Sequence, residues 1–97
     1  MKLTWSKVAE DDLDAIHAYI ARNSAWNASR QVERIVLRAE HVAASPMRGH
    51  PVHEFPESGC IEVHEGKYRI IHRIVDETFH IVTVIHMRQM LNLDRLK

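Results

Sequence analysis

The stretch Lys67-Tyr-Arg-Ile-Ile-His-Arg-Ile-Val75, KYRIIHRIV, decides how the rest of the chain is read. Its residues alternate with the period of two that marks a strand, yet two arginines stand among the apolar side chains. A second run, FHIVTVIHMR from Phe79 to Arg88, repeats the alternation and ends on a histidine and a third arginine. Cys60 to His64 precedes them as a further strand candidate. Glu65-Gly66-Lys67 and Asp76-Glu77-Thr78 are short enough to join the three as consecutive antiparallel hairpins.

Upstream the period changes. Leu3 and Trp5 alternate with Lys2 and Thr4 in a short opening strand, and Ser6 is placed to cap a helix. Leu13, Ile16 and Ile20 recur at helical spacing, with Glu10, Asp11 and Asp12 near the positive end of the helix dipole. Asn23 or Ser24 caps a second helix, in which Ala28, Val32, Ile35, Ala39 and Val42 form the buried stripe and Ser45-Pro46 the stop. MRGHPVHEFPES, Met47 to Ser58, is a loop by its prolines and glycine. The expected fold is α+β, in the order β-α-α-β-β-β: a helical hairpin packed on one face of an antiparallel sheet. Residues 1–97 read as a single domain, with 88–97 a C-terminal tail that is either a short helix or poorly ordered.

Parity sorts the strand residues into two faces. Ile61, Val63, Tyr68, Ile70, His72, Ile74, Phe79, Ile81, Thr83 and Ile85 form a nearly apolar face that should meet the helices. The other carries Cys60, Glu62, His64, Arg69, Ile71, Arg73, Val75, His80, Val82, Val84 and His86, with Arg88 continuing it. Half of this second face is apolar and half ionisable. Two readings fit it: a partner-binding surface built on the apolar strip Ile71, Val75, Val82 and Val84, or a cross-strand ion-pair network of Arg69, Arg73 and Glu62 on a solvated face.

Thirteen basic residues balance thirteen acidic ones in the 97-residue chain, so any attraction for phosphate must be local. One cysteine excludes an intrachain disulfide, and no run is long and apolar enough for a membrane span, so a cytoplasmic protein is expected. No cofactor is called for. His50-Pro-Val-His53, with His64 near in sequence, invites a metal, but there is no cysteine pair and no acidic residue at a telling spacing, so none is assigned. His72 is expected to be a hydrogen-bonded core histidine, Cys60 a packing residue, and Trp5 and Trp26 packing anchors.

The order of elements resembles the RelE/ParE superfamily of bacterial type II toxin–antitoxin toxins, as do LDAIHAYIA (13–21), SPMRGHPV (45–52), YRIIHRI (68–74) and VIHMRQ (84–89). RelE-like members cut messenger RNA on the ribosome with two lysines on the strand before the YR motif, two arginines and a late tyrosine; ParE-like members poison DNA gyrase. Here Arg69 and Arg88 match, but the lysine positions fall on Cys60 and Glu62, and no tyrosine follows Tyr68. A carboxylate at the phosphate site would repel the substrate, so the resemblance is closest to ParE-like toxins.

That resemblance implies gyrase as the target; Arg69, Arg73, His86 and Arg88, with the tail from Gln89 to Lys97 contributing, are the surface expected to meet it. The resemblance also implies a cognate antitoxin in a hetero-oligomer, touching Ile71, Val75, Val82 and Val84, and no sequence-specific DNA binding by the toxin alone. The alternatives are a ribosome-dependent endoribonuclease using His64, Arg69, His86 and Arg88, and an inactive antitoxin-binding module.

Overall fold

The computed structural model describes residues 1–46 and 49–96. Met47 and Arg48 of the expected loop, and Lys97 of the expected tail, lie outside the described residues. The elements are β1 (Lys2–Trp5), α1 (Lys7–Ala21), α2 (Ala25–Ala44), β2 (His50–Pro51), β3 (Ile61–Glu65), β4 (Tyr68–Val75), β5 (Thr78–His86) and a 3-10 turn at Leu93–Leu96.

Both helix starts follow from serine chemistry. The Ser6 hydroxyl accepts the backbone N–H of Ala9 at 2.9 Å, and that of Ser24 accepts the N–H of Asn27 at 3.1 Å. Along α2, Ala28, Ile35, Ala39, Val42 and Ala43 are buried, as their spacing requires. They close over Val63, Ile70, Phe79, Ile81 and Val84 of the sheet. Trp5 packs at the margin of this core. Trp26 is not the anchor expected: it lies roughly 200° around α2 from Ala28 and is 67% exposed, with the Arg30 guanidinium over its ring at 4.8 Å.

The sheet runs β1-β5-β4-β3-β2. The two expected hairpins are present and antiparallel. Asp76 (φ 49°) and Glu77 (φ 60°) supply the left-handed pair that a two-residue hairpin turn demands. β1, however, pairs with β5 in parallel, from Lys2↔Thr78 to Trp5↔Ile81, so the sheet is mixed rather than wholly antiparallel. Alternation shows that a segment is a strand but not which strand it will lie beside. No local turn fixes that for β1, whose partner is about 75 residues away.

A second departure is β2, which lies within the expected loop and pairs His50↔Glu62 and Pro51↔Ile61. Gly49 (φ 98°) admits this approach, because a Cβ there would lie 2.7 Å from the Glu62 carbonyl oxygen.

The largest correction concerns the faces. Ile71 pairs with Thr83 but His72 with Ile81, so Val82 is an extra residue on β5. Beyond this bulge the alternation is reversed. Val84 packs in the core beneath the helices and His86 lies edge-to-face against Tyr68 on that side, whereas Ile85 turns to the second face. Parity alone assigns Val84 and His86 to the second face and Ile85 to the first, because it allows for no inserted residue. The bulge is tied down locally: the carbonyl of Val82 accepts the Ser6 hydroxyl at 2.6 Å.

His72 is a core residue, fully buried and stacked on Phe79 with ring centroids 4.0 Å apart. It is not hydrogen-bonded as expected; neither ring nitrogen meets a partner among the described residues. Burial pushes its pKa down from 6.5 to about 4, so the folded protein holds it neutral while the unfolded chain protonates. Its contribution is complete above pH 6.5 and is lost as pH falls toward 4. Urea unfolding at pH 7, 5.5 and 4 should therefore show the wild type losing about 2–3 kcal/mol more than His72→Phe across that window. Parallel losses in the two proteins would exclude His72 as the cause.

Candidate functional site

The second face of the sheet is roofed by the protein's own chain. Val52 and Phe55 descend from the segment after β2, and Leu91 and Leu96 from the C-terminal segment. Together with Cys60, Ile71, Val82 and Ile85 they form a second apolar cluster. Cys60 is a buried free thiol within it. Leu91 and Leu96 were the available sign that the tail would dock, while Leu93 between them stays exposed.

Beneath this roof lies Arg69, 4% exposed, and all five of its N–H groups are used. Nε and Nη2 donate to Glu62 at 2.9 and 2.8 Å, and Nη1 and Nη2 donate to Glu54 at 2.8 and 2.7 Å. The remaining Nη1 hydrogen reaches the carbonyl of Gln89 at 3.3 Å. Glu54 in turn accepts the backbone N–H of Leu91 at 2.9 Å, so one guanidinium joins β3, β4, the segment after β2 and the tail.

Hydrogen bonds from Arg69 outweigh burial at Glu54 and hold its carboxyl at about 2. At Glu62 burial alone would raise the pKa, but hydrogen bonds from Arg69 and His64 bring it below the ordinary value. Arg69 is raised further above its already high value by both carboxylates. The ion-pair reading of Arg69 with Glu62 thus holds, but in the interior rather than on a solvated face. Glu54 was not singled out in the sequence, since a glutamate in an aperiodic Pro-rich loop carries no register.

The structure scatters the remaining expected site residues. Of the apolar strip, Ile71 and Val82 are sealed under the roof, Val84 is 2% exposed on the helix side, and Val75 alone is open at 49%. Arg73 is half-buried and lines a shallow concavity with Thr4, Val75, Thr78 and His80 at the far end of the sheet. His64 stands on the second face, its Nε2 2.8 Å from Glu62. His86 stands on the opposite face, with exposed Arg88 just beyond it.

His86 opens instead into a groove of about 390 Å³ between α1 and the end of β5, lined also by Ile16, Tyr19, Tyr68, Gln89 and Arg95. Tyr19 is 66% exposed at its rim. Because β1 ends at Trp5, the outer edge of β5 is free here, and Asp12 of α1 caps it by accepting from the N–H of Val84 at 3.0 Å and the hydroxyl of Thr83. Arg95 of the tail donates to the same carboxylate at 2.7 Å, which fixes the floor of the groove. Asp12 and Arg95 were not recognised from sequence, being 83 residues apart and brought together only at this edge. The backbone N–H of Arg88 donates to Nδ1 of His86 at 3.1 Å, so the neutral ring carries its hydrogen on Nε2.

This architecture is shared with chains of solved toxin–antitoxin systems. A chain of the chromosomal ParDE toxin–antitoxin system from P. aeruginosa superposes with a TM-score of 0.73 at 21% identity, covering 89% of this chain and 95% of that one. A chain of the RelBE2 toxin–antitoxin complex from Mycobacterium tuberculosis gives a TM-score of 0.65 at 24% identity, covering 88% of each. No functionally curated protein matches the sequence. The profile of the ParE toxin of type II toxin–antitoxin system, parDE, matches residues 3–91, and the chain belongs to that family. It is thus a type II toxin of the ParE/RelE superfamily.

Arg69→Ala should cost about 3–5 kcal/mol in urea unfolding at pH 7, because two carboxylates are left buried without a counter-ion. Arg69→Lys should recover only part of this, since an ammonium cannot make both bidentate contacts. Glu54→Gln should flatten the acid limb between pH 4.5 and 2, where the stability contributed by ionised Glu54 is lost as it protonates. A stability loss below about 1 kcal/mol for Arg69→Ala would mean that the network holds little together.

Proposed function

We propose that the protein acts on DNA gyrase by binding, not by cutting RNA, and that a cognate antitoxin neutralises it in a hetero-oligomer. The observation that carries the first half is the state of Arg69. Every donor of this guanidinium is committed to Glu54, Glu62 and Gln89, leaving none to stabilise a phosphorane. The rest of the nuclease set argues the same way. His64 and His86 lie on opposite faces of the sheet, so the two imidazoles do not converge on one phosphate. Cys60 and Glu62, at the positions of the nuclease lysines, are both buried.

The target-binding surface in this reading comprises His86 and Arg88, with Arg73 at the far end of the sheet, while Arg69 acts from beneath by holding the tail in place. The groove beside α1, apolar along Ile16 and Tyr68 and polar at Gln89 and Arg95, suits an amphipathic antitoxin segment laid across Tyr19.

The test is gyrase-catalysed supercoiling of relaxed plasmid with purified toxin, with and without its antitoxin. Inhibition relieved by the antitoxin is expected, and Arg88→Ala or His86→Ala should weaken it about 5- to 30-fold while leaving thermal stability within about 0.5 kcal/mol. A folded wild type that leaves supercoiling untouched but cleaves messenger RNA on ribosomes would overturn the reading. Inertness in both assays would make the chain an antitoxin-binding module.

A further inference from the structure

The ionic cluster has an imbalance at its outer edge. Glu54 and Glu62 are both ionised and share the single charge of Arg69, so the group carries a net charge of −1 beneath an apolar roof. Such a charge is costly without a further cation at its margin. The β2–β3 register sets His50 directly opposite Glu62, and His64, two residues along β3, lies on the same face. The two imidazoles meet edge to face with centroids 5.7 Å apart, and one ligand atom from each of His50, Glu62 and His64 lies within 4.8 Å of the others.

We propose that His50, Glu62 and His64 form a binding site for a divalent transition-metal ion of the zinc class. Two imidazoles and one carboxylate are a borderline donor set that suits zinc and its neighbours rather than magnesium or calcium, which take oxygen ligands. With bonds of about 2.0–2.1 Å the donors would stand roughly 3.3 Å apart, a closure that two solvent-facing side chains can make by rotation. Each donor is already oriented. Nδ1 of His50 donates to the carbonyl of Pro51 at 3.3 Å, leaving the lone pair on Nε2. Nε2 of His64 lies 2.8 Å from Oε2 of Glu62; for Nε2 to ligate the ion, the hydrogen between them gives way, the neutral ring then carrying its single hydrogen on solvent-facing Nδ1. Glu62 is held from behind by Nε and Nη2 of Arg69, and Arg69 retains Glu54.

The bound ion would clip β2, only two residues long, to the body of the sheet and so fasten the segment that carries Val52, Glu54 and Phe55. Three protein ligands leave one position facing solvent.

The experiment uses the untagged full chain, stripped with chelator and titrated with Zn²⁺ alone, with Co²⁺ as a spectroscopic stand-in. One equivalent of Zn²⁺ is expected to bind and raise Tm, and Co²⁺ to give the intense visible bands of a four-coordinate site. His50→Ala and His64→Ala should each weaken binding by more than about tenfold and abolish the Tm shift. His53→Ala, which removes a neighbour of Glu54 instead, and His41→Ala, exposed on α2, should bind as wild type. Both ligand histidines are exposed, so their variants should fold. Absence of stoichiometric binding overturns the proposal, as does binding that survives His50→Ala and His64→Ala or is lost with His53→Ala.

Discussion

One guanidinium, buried and fully hydrogen-bonded, holds the outer half of this structure in place. Arg69 sits on the central antiparallel strands, but its partners come from three directions: Glu62 from β3, Glu54 from the segment after β2, and Gln89 from the tail. Burying such a group is favourable only when every donor is met, and here every donor is. The contact does more than neutralise charge. It fixes where Val52, Phe55, Leu91 and Leu96 can land, so the second apolar cluster forms around the ion network instead of being exposed. An arginine in the middle of a strand is tolerated here because the chain brings its own counter-ions over the sheet.

The bulge at Val82 has a comparable reach for a single inserted residue. Without it, His86 would point to the same side as Arg69 and His64, and an ionisable strip would run across one face. With it, His86 joins Tyr68 and Tyr19 beside α1, and Ile85 is released to fill the second cluster. The termination of β1 at Trp5 then leaves the last turn of β5 as a free edge, which Asp12 caps and Arg95 reinforces. The groove exists because a sheet edge, a helix and the tail meet at that place.

These two features set which polar groups of the chain remain available at its surface. Membership of the ParE toxin family gives the architecture, but the chemistry depends on which groups remain unspent. Arg69 is spent inside the protein. Arg88 is exposed beside His86, which opens into the groove along α1, and Arg73 is half-buried at the far end of the sheet.

The elements themselves were legible in the amino-acid order: the 3.6-residue stripe of α2, the serine caps, the alternation in β4 and β5 and the short turns between them are local, and local spacing sets them. The pairing of Glu62 with Arg69 was legible for the same reason, since a hairpin makes them neighbours. What the order of residues left open depends on contacts far apart in the chain. Parity cannot register an inserted residue, so Val84, Ile85 and His86 were assigned to the wrong faces. Nor could it give the parallel partner of β1, the docking of the tail, or the arrival of Glu54 and Arg95, because these are chosen by packing and charge compensation once the sheet exists. The sequence alone determined both helices and every strand except β2, and that one sheet face would be largely apolar. Only the tertiary structure decided which charges would be buried and which left exposed, because a buried ion is stable only where its counter-ions can meet it in space.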